Sequence, residues 1–145
     1  MKRFAKNLSV NFLSFLVLAA VPALQVQAQV PAPQTQTLVS GIKILHTTVG
    51  TGAMPVATDR VKVHYRGTLP SGVEFDNSYK EGSPAVFPLN KVIRCWTQAL
   101  QHMKVGGKAT LSCPAELAYG AKGAGTTIPP NTALTFDVEL LGIEK

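Results

Sequence analysis

The sequence has none of the residue patterns that mark a bond-breaking active site. It contains no Gly-x-Ser-x-Gly elbow, and neither of its two cysteines stands in the signature of a cysteine enzyme. Its three histidines, His46, His64 and His102, are isolated and lack the cysteine or carboxylate companions that a metal site requires. We therefore expect no nucleophile with a positioned base, no metal and no cofactor.

Charge is also scarce, since only 15% of the 145 residues are charged and the formal net charge is +6. Three of the 14 basic residues lie in the first six positions, so removing residues 1–28 leaves 11 basic against 8 acidic residues, a net charge of +3. The remaining basic residues are scattered and form no dense run of the kind that follows a phosphate backbone. The sequence thus argues against nucleic acid as a partner.

The one long apolar run, FLSFLVLAAV, follows a basic start near the N-terminus and precedes the small-ended triplet VQA. This pattern is typical of a secretory signal peptide at residues 1–28, which would leave Gln29 as the mature N-terminus. The alternative is an uncleaved membrane anchor, but Ser14 interrupts the run and Pro22 ends it, short of the roughly 20 apolar residues that span a bilayer. We expect an exported, periplasmic protein with no membrane association after cleavage.

The rest of the sequence divides into a short linker and one domain. Residues 29–37, QVPAPQTQT, show no apolar periodicity, which predicts an extended linker, and residues 38–145 suffice for one folded domain. Alternating patterns predict strands near Ile42, from Arg60, near Phe75, from Ala85, at 108–113 and from Leu134, and an amphipathic helix at 92–103. The prediction is an α+β domain whose antiparallel sheet of five to six strands wraps around one short helix.

A 17-residue loop from Pro114 to Pro130 interrupts this small domain. Ordered loops of this length in compact domains usually belong to functional sites. The segment from Val92 to Leu140 carries aromatic and branched apolar residues but no obvious nucleophile, which indicates a pocket rather than a reactive group.

Two predictions stay open for Cys95 and Cys113. An even number of cysteines in an exported protein permits a disulfide, which a helix packed on the following strand would allow and which would stabilise the fold by a few kcal/mol. The alternative is two separate, buried, small apolar residues.

Seven motifs occur in the order of one known family. They are VHYRGTL, GVEFDNS, VIRCW, MKVGGKA, ELAYG, IPPNTAL and FDVELL, and they fall between Gly41 and Glu144. In these motifs the chain resembles the FKBP family of peptidyl-prolyl cis/trans isomerases, the immunophilins that bind macrolide inhibitors. The resemblance implies an antiparallel sheet around a short helix and catalysed rotation of X-Pro bonds in exported polypeptides during folding. Proline-containing polypeptides are the implied substrates, with macrolides as inhibitors and no cofactor.

The resemblance also implies a site. Asp76, Tyr119 and Ile93 are the implied catalytic residues: the Tyr119 hydroxyl and the Ile93 backbone N–H would donate to substrate carbonyls, and Asp76 would lie at the rim. Asp76 would accept a hydrogen bond and shape the twisted amide. The implied substrate-binding residues are Tyr65, Phe75, Phe87, Val92, Trp96, Ile128 and Phe136.

Within that set Trp96 would form the floor under the proline ring, and Ile128 would close over the ligand. Trp96 and Phe136 could instead be ordinary core residues, and Asp76 could be only a turn residue. Glu81 stands where some relatives carry a basic partner for the rim carboxylate, which argues against an ion pair at Asp76.

The alternative function is a non-catalytic chaperone or binding module for proline-containing segments. Because the sequence has nothing like the long dimerisation helices of some exported relatives, we expect a monomer.

Overall fold

The computed structural model describes residues 28–145, of which residues 31–145 belong to one compact unit. The signal peptide predicted at 1–28 lies outside the described residues, apart from Ala28. None of the helices within residues 28–145 has the length and apolar character of a membrane span.

Seven antiparallel strands form one sheet in the described part of the chain. They are β1 Gln34–Thr37, β2 Lys43–Thr48, β3 Arg60–Thr68, β4 Glu74–Asn77, β5 Ala85–Pro88, β6 Lys108–Cys113 and β7 Leu134–Glu144. The neighbours follow the order β1-β2-β6-β7-β3-β4, and β5 pairs with the first half of β3. The predicted antiparallel α+β architecture is confirmed, with more strands than the predicted five to six.

The helical elements are short. They are the helices α1 Ser78–Glu81 and α2 Arg94–Ala99 and the 3₁₀ turns Leu89–Lys91, Leu100–His102, Ala115–Leu117 and Gly120–Lys122. The helix predicted at 92–103 therefore begins later, because Ile93 is extended and caps α2 with φ −56° and ψ 146°. The α1 turn was not predicted; the Asn77 side chain caps it by accepting the Tyr79 N–H at 2.9 Å.

Strand β1 corrects part of the predicted linker at 29–37. Gln34–Thr37 pairs with β2, with Thr37 opposite Lys43. All four side chains are exposed, so this edge strand lacks the apolar alternation by which a sequence reveals a strand. Backbone hydrogen bonds, which do not depend on side-chain type, form it instead.

One hydrophobic core joins the sheet to α2. The alternation of β7 buries one face of the strand, and Trp96 and Leu100, together with Met103 just after the following turn, are buried along the predicted amphipathic helix. The buried sheet residues are Ile42, Ile44, Val61, Val63, Tyr65, Ala109, Leu111, Leu134, Phe136, Val138 and Leu140. Burial of each large apolar side chain contributes about 1.5–3 kcal/mol, so this core supplies the main stabilisation of the domain.

A disulfide joins α2 to β6. Cys95 and Cys113 are bonded, with 5.7 Å between their Cα atoms and a sequence separation of 18. Both residues are fully buried. The bond therefore restrains the position of α2 on the sheet directly beside Trp96.

Glu74 connects three neighbours on the outer side of the β3–β4 pair. Its carboxylate accepts from Arg66 Nε at 2.7 Å and from Lys80 Nζ at 2.6 Å, and Asn77 Nδ2 donates to it at 3.1 Å. The hydrogen bond from Lys80, followed by that from Arg66, lowers the pKa of Glu74 to about 2. The network holds β4 against β3 two residues before Asp76.

Replacing both cysteines, in Cys95→Ala/Cys113→Ala, should lower the free energy of unfolding by about 3 kcal/mol. The reason is that the cross-link no longer restrains the unfolded chain between residues 95 and 113. Denaturant unfolding of the wild type with and without reductant provides the control, since reduction should cost a similar amount. Two free thiols in the denatured, unreduced wild type would contradict the bond.

Glu74→Gln should destabilise the protein near neutral pH and have progressively less effect in acid. A carboxylate with a lowered folded pKa stabilises the fold above its unfolded pKa of 4.5, and this contribution is lost as pH falls through about 2. Urea unfolding at pH 7, 4.5, 3 and 2 would measure the difference from wild type. Glu116→Gln, at an exposed glutamate, is the matched control; a Glu74→Gln effect that stays constant with pH would contradict the assignment.

Candidate active site

A cavity of about 510 Å³ opens where β3, β4, β5, β7 and the start of α2 meet. It is lined by Tyr65, Phe75, Asp76, Phe87, Lys91, Val92, Ile93, Trp96, Tyr119 and Phe136. Nine of the ten predicted site residues are in this lining; Ile128 is not, and Lys91 was not predicted. Residues separated by more than 70 positions, such as Tyr65 and Phe136, thus share one surface.

Trp96 lies at the centre of the aromatic residues. Its ring contacts Tyr65, Phe136 and Phe87 edge-on, with centroid distances of 5.1, 5.3 and 5.9 Å. Such edge-to-face pairs contribute about 0.5–1.5 kcal/mol beyond the burial of their area. The indole is 4% exposed, and its Nε1 has no hydrogen-bond partner within residues 28–145. The floor of the cavity is therefore set by packing and not by polar contacts of the indole.

Phe75 and Phe136 form an adjoining wall, and Gly67 makes room for it. The two rings are perpendicular with centroids 5.6 Å apart. A Cβ at Gly67 would lie 2.5 Å from Phe75 Cζ and 3.1 Å from Phe136 Cε1, so any side chain there would push the wall apart. A glycine inside the strand pattern VHYRGTL is the sequence signal that could have revealed this close approach.

Asp76 is held at the rim by two donors. The Tyr65 hydroxyl donates to its Oδ2 at 2.6 Å, and the Asn77 N–H donates to its Oδ1 at 2.9 Å. Burial, and then the hydrogen bond to Asp76, raise the pKa of Tyr65 well above its ordinary value, so Tyr65 remains a neutral donor. No cation of the described residues lies within 4.0 Å of the Asp76 carboxylate.

The Ser78 side chain fixes the backbone of Tyr65. The backbone N–H of Tyr65 donates to Ser78 Oγ at 2.8 Å, and His64 Nδ1 lies 2.9 Å from the same oxygen. Ser78 is fully buried. The sequence DNS predicts a turn but gives no sign that its serine completes the hydrogen bonding of the neighbouring strand.

Two donors at the mouth of the cavity have no acceptor among the described residues. They are the Tyr119 hydroxyl, on a side chain that is 42% exposed, and the backbone N–H of Ile93. The Ile93 carbonyl, in contrast, accepts the Trp96 N–H at 3.0 Å and so starts α2. Both donors can therefore bind a ligand without losing an internal hydrogen bond.

Ile128 requires a correction, because the structure places it outside the cavity lining. Its side chain is 5% exposed and packs in the core. The Ile128 N–H donates to the Ala124 carbonyl at 3.0 Å, and the Ala124 N–H donates to the Ile128 carbonyl at 2.9 Å. Ile128 thus anchors the long loop to the domain.

Lys91 is the lining residue that the sequence interpretation missed. It ends the 3₁₀ turn Leu89–Lys91, directly before Val92 and Ile93. A single exposed lysine carries no apolar or periodic signal, and only the turn directs it to the cavity. The lining contains no serine, cysteine or histidine. This site can therefore enclose, orient and hydrogen-bond a ligand, but it holds no nucleophile with a base.

Comparison with known proteins agrees with this geometry. The profile of the family described as FKBP-type peptidyl-prolyl cis-trans isomerase matches residues 52–141. The FKBP-type peptidyl-prolyl cis-trans isomerase FkpA of Aeromonas hydrophila is 56% identical over 106 residues, which are 73% of this chain and 39% of that protein. The FKBP-type 22 kDa peptidyl-prolyl cis-trans isomerase of Escherichia coli is 52% identical over 104 residues, covering 72% of this chain and 50% of that protein.

The chain thus spans half or less of these curated relatives. A crystal structure of a peptidyl-prolyl cis-trans isomerase from Pseudomonas syringae pv. tomato aligns with a TM-score of 0.73 and 44% identity, over 78% of this chain and 83% of that one. The matched region contains every residue of the cavity lining. The chain belongs to the family of FKBP-type peptidyl-prolyl cis-trans isomerases.

Proposed function

We propose that this protein is a peptidyl-prolyl cis/trans isomerase that accelerates rotation of X-Pro bonds in exported polypeptides. The observation that carries the proposal is the aromatic cavity over Trp96, with two unpaired donors and one oriented carboxylate at its mouth. Enclosure without a nucleophile suits a reaction in which no covalent bond is broken.

The chemistry requires little more than such a cavity. Amide resonance keeps the X-Pro bond planar with a barrier of about 18–20 kcal/mol. Rotation through the perpendicular state removes that resonance and the charge separation that accompanies it. The twisted amide is therefore less polar at its carbonyl oxygen than the planar amide, and an apolar wall favours it relative to water.

The three rim groups take different roles in this mechanism. Tyr119 and the Ile93 N–H donate to substrate carbonyls and hold the peptide in place while the bond turns. Asp76, kept in one orientation by Tyr65 and Asn77, presents negative charge at the rim. A carboxylate near the amide oxygen disfavours the planar form, in which that oxygen is more negative, and so favours the twisted state.

The proposed partners follow from the same surface. Proline-containing polypeptides are the substrates, and the apolar walls favour an apolar residue before the proline. Macrolide inhibitors, which the family resemblance implies, would compete for the cavity, and the protein would act as a monomer. Export to the periplasm is proposed from the N-terminal sequence and is supported by the disulfide, since disulfides persist in oxidising compartments.

An isomerisation assay on an X-Pro peptide tests the activity. Tyr119→Phe and Asp76→Ala should each lower kcat/KM roughly fivefold or more, because each removes one polar interaction of about 1 kcal/mol with the peptide. Tyr79→Phe is the matched control, since Tyr79 is 51% exposed, against 42% for Tyr119, but donates to Glu139 outside the cavity. Absence of acceleration at micromolar protein would leave the alternative, a chaperone or binding module.

Expression of the full chain in a Gram-negative host tests export. The protein should be recovered from the periplasmic fraction with Gln29 as its first residue, because the triplet VQA ends a signal peptide. N-terminal sequencing of the purified protein makes the measurement. An intact N-terminus in the membrane fraction would identify the segment as an anchor instead.

A further inference from the structure

Lys91 places a positive charge in the lining of an otherwise aromatic cavity. Its side chain is exposed, and no carboxylate of residues 28–145 lies within 4.0 Å of its ammonium group. The ammonium is therefore available to a ligand. Because the stem of lysine is long and flexible, the charge can reach residues on either side of a bound proline.

Asp76 is the only other charged residue of the lining, and it does not neutralise Lys91. Both of its oxygens already accept hydrogen bonds, from the Tyr65 hydroxyl and the Asn77 N–H. A substrate carboxylate could thus approach Lys91 without displacing an existing partner. Asp76 opposes that approach only at longer range, where solvent screening is stronger.

Arg94, the next cation along the chain, is not part of the cavity lining. It follows Ile93 directly, and its Nη2 donates to the backbone carbonyl of Glu116 at 2.8 Å. A carbonyl is a neutral acceptor, so the guanidinium keeps its charge. Lys91 is therefore the one cation of the lining within residues 28–145.

We propose that Lys91 is a specificity-determining residue that favours substrates with an acidic side chain adjacent to the proline. The proposal rests on the proposed isomerase function and adds a charge preference to the apolar one. Exposed ion pairs are weak, so the preference should be about two- to fivefold in kcat/KM. It should also decrease at high ionic strength.

Isosteric peptide pairs measure this preference. Glu-Pro is compared with Gln-Pro, and Pro-Glu with Pro-Gln, in an exchange assay by NMR that needs no coupling protease. In the wild type at least one Glu/Gln ratio should reach two to five at low salt. The ratio should return to about one in Lys91→Gln and fall below one in Lys91→Glu. Lys43→Gln, which removes the same charge from β2 outside the cavity, should leave the ratio unchanged.

The outcomes separate this proposal from the proposed function. Failure to accelerate isomerisation of the Gln peptides would contradict the proposed isomerase function itself. Acceleration of the Gln peptides with Glu/Gln ratios of one, or with a ratio that Lys91→Gln does not change, would overturn the role of Lys91 alone. Trp96 is the single tryptophan of the chain, so fluorescence titration with the same peptides gives a binding readout that should follow the same order.

Discussion

The packing of three aromatic rings around Trp96 is the interaction on which both the core and the cavity depend. Tyr65 comes from β3, Phe87 from β5 and Phe136 from β7, and each meets the indole edge-on. The same contacts hold α2 on the sheet and form the floor of the site. Because cores are close-packed, the shape of the floor cannot change without a cost in stability. The disulfide at Cys95 restrains the same helix one residue away.

Polar groups then fix the rim relative to this floor. Ser78 binds the backbone of Tyr65, and Tyr65 donates to Asp76. The Glu74 network holds the strand that carries Asp76 against β3. The carboxylate is therefore oriented by a chain of neighbours and needs no cation of its own. In the proposed isomerisation, such preorganisation makes a small change in amide polarity sufficient, since little reorganisation accompanies the rotation.

Periodic segments could be predicted from the sequence because burial imposes their pattern. The inward alternation of β7 and the stripe that includes Trp96 and Leu100 both reflect a face turned to the core. The strand β1 and the helix α1 could not be predicted in this way, because backbone hydrogen bonds and a local cap form them. Ile128 was predicted to line the cavity and Lys91 was not, whereas the lining contains Lys91 and lacks Ile128. The reason is related: the orientation of a loop or turn residue depends on contacts that no local pattern records.

The sequence by itself determined the chemical character of the site: aromatic, weakly charged and without a nucleophile. The order of its motifs also identified the family, since these residue types lie at fixed positions along the chain. Only the tertiary structure decided which of them share the cavity. Ile128 packs inward against the shared core, and Lys91 enters the lining because its turn is fixed by the hydrogen bond from the Leu89 N–H to the Asp59 carbonyl. Those contacts join residues distant in sequence, and sequence spacing alone cannot specify their geometry.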